Sequence, residues 1–159
     1  MNDSAGIDRD AVVRFLDALR AAETAAADVF RAWVDVCGLE GLRGGLRAIA
    51  EREATHADLL AERLRELDAP CTATVADTMR AAAQARFGAA TVGDDEKLAA
   101  FLARYADDSA VTRPITAMID RLDDDPETRE LLRLVADGEA ATLAWLRAYH
   151  AGLRRPSGR

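Results

Sequence analysis

Apolar residues recur at steps of three and four along four stretches of the chain, the spacing that gathers side chains onto one face of an α-helix. Leu16, Leu19, Ala26, Phe30 and Trp33 mark the first, predicted over about residues 8–36 and ended by Gly38. Leu42, Leu46, Ile49, Leu60, Leu64 and Leu67 mark the second, over about residues 40–67, with Gly41, Gly44 and Gly45 weakening its first turns and Asp68-Ala69-Pro70 stopping it. The third carries Leu98, Phe101, Tyr105, Ile115, Ile119 and Leu122 over about residues 94–123, where Pro114 is expected to kink the helix without ending it. The turn Asp123-Asp124-Asp125-Pro126 leads into the fourth, over about residues 126–151, with Leu132, Val135, Leu146 and Tyr149.

The links inside each pair are short, so each pair forms an antiparallel hairpin. Residues 68–93 are long enough for a crossover and carry a short helix over about 75–87. The pattern is thus a repeat of one hairpin, and it predicts an all-α antiparallel four-helix bundle in a single domain of residues 9–152. Residues 1–8 are expected to be flexible and 153–159 frayed.

Each apolar stripe is interrupted near its middle by an acid: Glu23, Glu53, Asp108 and Glu139. Glu23 and Glu53 lie about equally far from their shared turn, as do Asp108 and Glu139, so equal rise per residue brings each pair level. Buried carboxylates without partners cost several kcal/mol each, so such a quartet calls for protons, cations or metal. No Arg or Lys sits on these stripes at that height, and two divalent ions would balance four carboxylates. His56, three residues after Glu53, can offer an imidazole nitrogen to the same ion. Tyr105, Thr112 and Thr142 share the stripes and are expected beside the site, with Trp33 and Trp145 packing nearer the bundle ends. His150 lies about 16 Å along the axis from Glu139 and cannot replace a ligand there.

Composition narrows the partners. Aromatic residues make up 5% of the chain and alanine is abundant, which suits closely packed helices over a β-sandwich. A net charge of −7 with scattered arginines offers no basic face for nucleic acid. No apolar run is long enough to span a membrane and no leader-like segment opens the chain, so a soluble, cytoplasmic protein is expected. Cys37 and Cys71 fall at opposite ends of the second helix, too far apart for a disulfide. The Ala- and Leu-bearing outer edges of the first two helices offer a surface through which two copies could pair as a homodimer.

Leu46-x-x-Ile-Ala-x-x-Glu53-x-x-His56-Ala-x-x-Leu60, the segment Asp125-Pro-Glu-Thr-Arg-Glu-Leu-Leu continuing through Asp137-Gly-Glu139-Ala-Ala-Thr142-Leu-Ala-Trp-Leu146, and Glu23 together resemble the ferritin-like superfamily, in particular its rubrerythrin-type bundles. The resemblance covers most of the chain. It implies a two-metal carboxylate site with Glu23, Glu53, His56, Asp108 and Glu139 as ligands. It also implies iron as the metal, with manganese or zinc as alternatives, and oxidation of ferrous iron or turnover of oxygen or peroxide. Two departures degrade the second half-site: Asp108 stands where the resemblance implies Glu, and Thr142 where it implies His, so the site holds two ions, or one if it is asymmetric. No Cys-x-x-Cys pair supplies a built-in electron donor. The competing reading is a metal-free degenerate bundle that serves as a binding or assembly module, its acids held by protons and mutual hydrogen bonds.

Overall fold

The computed structural model describes residues 8–154, and the described residues form six helices and no strand. The expected flexible N-terminus (1–8) and frayed tail (153–159) lie outside the described residues except for Asp8, which caps the first helix, and Leu153 and Arg154, which end the last. Helix α1 (Arg9–Val36) begins where the Asp8 side chain accepts the Asp10 N–H. Only Cys37–Leu39 separate it from α2 (Glu40–Glu66), so the two long helices run antiparallel in extensive contact. A crossover containing α3 (Asp77–Phe87) leads to α4 (Asp94–Leu102) and α5 (Arg113–Ile119), and α6 (Pro126–Leu153) closes the bundle against α2, α4 and α5. No described helix is long and apolar enough to cross a membrane.

The third long helix differs from its expected form. It is broken at residues 103–112 into α4 and α5. The Asp107 carboxylate accepts the Ser109 N–H at 2.9 Å, the Ser109 hydroxyl at 2.7 Å and the Arg113 guanidinium at 2.9 Å. These local bonds offer the backbone an alternative to helix. Pro114 then sits in the first turn of α5, where its missing N–H costs nothing, so it starts a helix and kinks none.

Two apolar clusters make up the core. One gathers Phe30 and Trp33 from α1, Leu42 and Leu46 from α2, Leu98 and Phe101 from α4, and Leu143 and Leu146 from α6. The other gathers Val12 and Leu16, Leu60 and Leu64, Ile115 and Met118, and Leu132 and Val135, from α1, α2, α5 and α6 in that order. Every long helix therefore runs from one cluster into the other, and the middle of each faces the level between them.

The crossover is pinned at both ends. At its start the buried Asp17 carboxylate accepts the N–H groups of Thr72 at 2.8 Å and Ala73 at 2.7 Å, and Arg20 joins Asp17 to the Ala73 carbonyl. At its end Phe87 packs on Trp33, ring centroids 5.3 Å apart. Asp94 then ties α4 to the first hairpin turn, accepting from Trp33 Nε1 at 2.9 Å, Gly38 N at 2.9 Å and Leu39 N at 3.3 Å.

Of the glycines expected to weaken the start of α2, Gly45 has a packing role. A Cβ there would lie 2.0 Å from Trp145 of α6, so only glycine admits the indole, whereas Gly44 has nothing near it. Gly45→Ala should therefore destabilise the fold by ~1–3 kcal/mol through overpacking, and Gly44→Ala should stabilise it by ~0.5–1 kcal/mol through helix propensity. Urea denaturation of the two variants beside the parent measures both.

Candidate metal centre

Between the two apolar clusters, the structure brings together Glu23 of α1, Glu53 and His56 of α2, and Glu139 of α6, with one donor atom from each lying within 4.8 Å of all the others. Glu23, Glu53 and His56 are buried and Glu139 is half-buried. The three-residue step from Glu53 to His56 sets both on one face of α2, and the antiparallel hairpin brings Glu23 level with them. His56 Nδ1 lies 3.1 Å from Glu23 Oε2. Its ring rests against α6 at Gly138, where a Cβ would come within 2.4 Å of His56 Cε1. Glycine just before Glu139 is what allows the imidazole in.

Asp108 does not join them. It lies in the break between α4 and α5, its side chain 81% exposed and paired with Arg147 at 2.6 Å. The expected level quartet is thus a trio of glutamates with one histidine, because the helix that would have carried the fourth acid inward is not formed at that height. Thr112 is also absent from the cluster: it precedes α5 and its hydroxyl donates to the Ser109 carbonyl at 3.2 Å. Thr142 is present and buried, its hydroxyl 3.3 Å from Glu53 Oε1. Tyr105 is half-buried and faces the acids across a cavity. His150 pairs with Asp95 at 3.1 Å, away from the cluster.

A cation also stands beside the acids. Arg52, beside Glu53 on α2, is half-buried and crosses Gly138 to donate to the Thr142 hydroxyl. It lies next to the stripe, so a reading confined to stripe positions passed over it, although the pairing of Arg52 with Glu53 in sequence was visible. Asp17 was missed for the same reason. It is the contrasting case of a buried acid fully satisfied by the chain, and its hydrogen bonds outweigh the penalty of burial to hold its pKa below the usual value.

The three glutamates have no such satisfaction. Burial pushes Glu23, Glu53 and Glu139 each up to about 8; charge on neighbouring carboxylates adds to the rise, while Arg52 opposes it in all three and hydrogen bonding to a neighbouring glutamate opposes it in Glu23 and Glu53. Burial lowers His56. The lowered imidazole leans to its neutral form, and its Nδ1 shares a hydrogen bond with Glu23 Oε2 at 3.1 Å. Glu139 Oε1 is buried with no hydrogen-bond partner, an orphan of the kind a ligand or ion satisfies.

A cavity of about 920 Å³ opens onto this cluster, bounded by α1, α3 and the broken stretch after α4. Glu23, Glu53, Glu139 and Thr142 form its inner end, and most of its wall is aliphatic or aromatic.

Among families of known proteins, the ferritin family described as a ferritin-like domain matches residues 15–155. No curated protein matches the chain.

The raised carboxyls fix the pH response of the metal-free protein. Unfolded glutamates release their protons near the ordinary value of 4.5 whereas the folded ones keep theirs to about 8. The folded state then binds more protons, and stability falls as pH rises through that window. Urea denaturation of chelator-treated protein should show a loss of several kcal/mol between about pH 5 and pH 8, reduced in Glu53→Gln.

Proposed function

Because the chain belongs to the ferritin-like domain family, we propose that Glu23, Glu53, His56 and Glu139 hold a metal ion and that the protein carries out oxidoreductase-type chemistry there. The observation that carries this reading is the convergence of four donor atoms within 4.8 Å in a buried layer. The donor set fits. Three carboxylates and one imidazole suit iron or manganese, and zinc is also accommodated by such ligands. The orphaned Glu139 oxygen is an open acceptor at the same point. A bound iron or manganese ion would supply the electron transfer needed for turnover of oxygen or peroxide, or for oxidation of ferrous iron.

The chain's own residues define the rest. His56 turns Nδ1 toward the carboxylates while Gly138 holds its ring. Thr142 orients Glu53 by its hydrogen bond. Arg52 stands beside the cluster as a fixed cation, engaged with Thr142, the residue that occupies the place of a second histidine. Charge then favours a single ion. Three ionised glutamates are balanced by one divalent ion and one guanidinium, whereas two divalent ions beside Arg52 would leave two positive charges in excess. Pairing of two copies through α1 and α2, and a cytoplasmic setting, belong to the same proposal.

A second reading is favoured by the raised carboxyls themselves: at neutral pH the cluster can keep protons in place of an ion, as expected of a metal-free bundle that serves as a binding module.

Elemental analysis separates the two. Protein purified without added metal should carry about one iron or manganese per chain by the charge balance above, and His56→Ala or Glu53→Ala should lose it. The double variant Arg52→Ala/Thr142→His should accept a second ion. Saturation about 100-fold above the dissociation constant should raise stability by about 2.7 kcal/mol. No bound metal and no stabilisation would decide for the metal-free bundle.

A further inference from the structure

We propose that the cavity beneath α3 binds a small, neutral, largely apolar organic molecule, with its inner end against Glu23, Glu53 and Glu139. The proposed metal site would make this molecule its substrate, and to that extent the inference rests on the reading above. The binding itself rests on the cavity.

The chamber exists because residues 103–112 leave the helical path and the crossover returns across the gap. It is bounded by α1 on one side, α3 on another and the residues around the break on a third. Its volume of about 920 Å³ falls within the range of roughly 300–1,000 Å³ typical of small-molecule sites. Leu19, Ala26, Val29, Met79, Ala83 and Val111 supply apolar wall, and the polar groups Glu23, Glu53, Glu139 and Thr142 converge at one end. An apolar body with a single polar terminus oriented by a few convergent groups is the ligand such a lining recognises.

Charge at the mouth decides against an organic ion as the occupant. The charged residues there are Asp28, Asp77, Arg80 and Arg104, two of each sign. Asp28 pairs with Arg31 at 3.8 Å and Asp77 with Arg80 at 4.0 Å. The Arg104 guanidinium lies over Phe101 and Tyr105, 5.8 and 5.9 Å from their ring centres. An anionic organic head group would find no surplus of positive charge at the mouth and three carboxyls at the inner end.

Helix α3 has the character of a roof. Of its residues only Phe87 is buried, and Met79 is 64% exposed while lining the cavity. A helix that puts apolar side chains over a chamber and contributes one anchor to the core leaves apolar surface to be covered by whatever enters.

The test is titration with N-phenyl-1-naphthylamine, a neutral apolar fluorophore. Saturable fluorescence enhancement at one molecule per chain is expected, reversed by 1-decanol at lower concentration than by decanoate. Ala26→Trp on α1 and Ala83→Trp on α3, which each fill the chamber, should weaken binding at least tenfold, and Ala48→Trp on the outer face of α2 should leave it unchanged. Absence of saturable binding, equal affinity in Ala83→Trp with its helical circular dichroism intact, or stronger displacement by decanoate overturns the proposal. Ala83 is half-buried on α3, of whose residues only Phe87 is buried, so that variant reports even if Ala26→Trp fails to fold. Metal content of the same samples keeps the two readings apart. Fluorophore binding without metal sinks the metal site and leaves the chamber, whereas metal without fluorophore binding sinks the chamber alone.

Discussion

Three glutamates buried at one level of a helical bundle are a standing electrostatic problem, and much of the molecule is arranged around it. Their burial and mutual repulsion cannot be relieved by backbone groups, which the surrounding helices have already used. The chain offers a hydroxyl from Thr142, an imidazole from His56 and a guanidinium from Arg52. Asp17 shows that the same chain can satisfy a buried acid completely when a strained charge serves no purpose: two backbone N–H groups and Arg20 hold it. The difference between the two environments, within one helix, is the physical basis for assigning structure to one and chemistry to the other.

Interruption of the third long helix changes what that acidic layer can become. A continuous helix would have filled the bundle's fourth side and carried Asp108 inward; instead Asp107 and Ser109 satisfy the backbone locally and Asp108 turns to Arg147 in solvent. One acid is lost from the layer, and an apolar chamber opens in its place. The cation that stands at the cluster comes from Arg52, covalently fixed and unable to dissociate, so the charges around the acids are asymmetric.

Much of this was legible in the sequence, for identifiable reasons. Steps of three and four place Glu23, Glu53, His56 and Glu139 on inward faces, and short links fix their relative height, so simple helix geometry was enough to find them. The break was hidden because Leu98, Phe101, Tyr105, Asp108, Thr112 and Ile115 carry the helical step straight across it. Periodicity reports which residues could share a face, and it is silent when local turn chemistry stops the helix. Asp107-Asp108-Ser109 shortly before Pro114 was the available signal. Arg52 escaped because an arginine beside a stripe can swing its long side chain inward, a freedom that position alone does not reveal.

The two-point attachment of the crossover has an evolutionary corollary. Held by Asp17 at one end and by Phe87 at the other, α3 contributes little else to the core. Substitutions along it should therefore escape the stability threshold that constrains α1, α2 and α6, leaving selection free to reshape the chamber's ceiling while the glutamate layer beneath stays fixed.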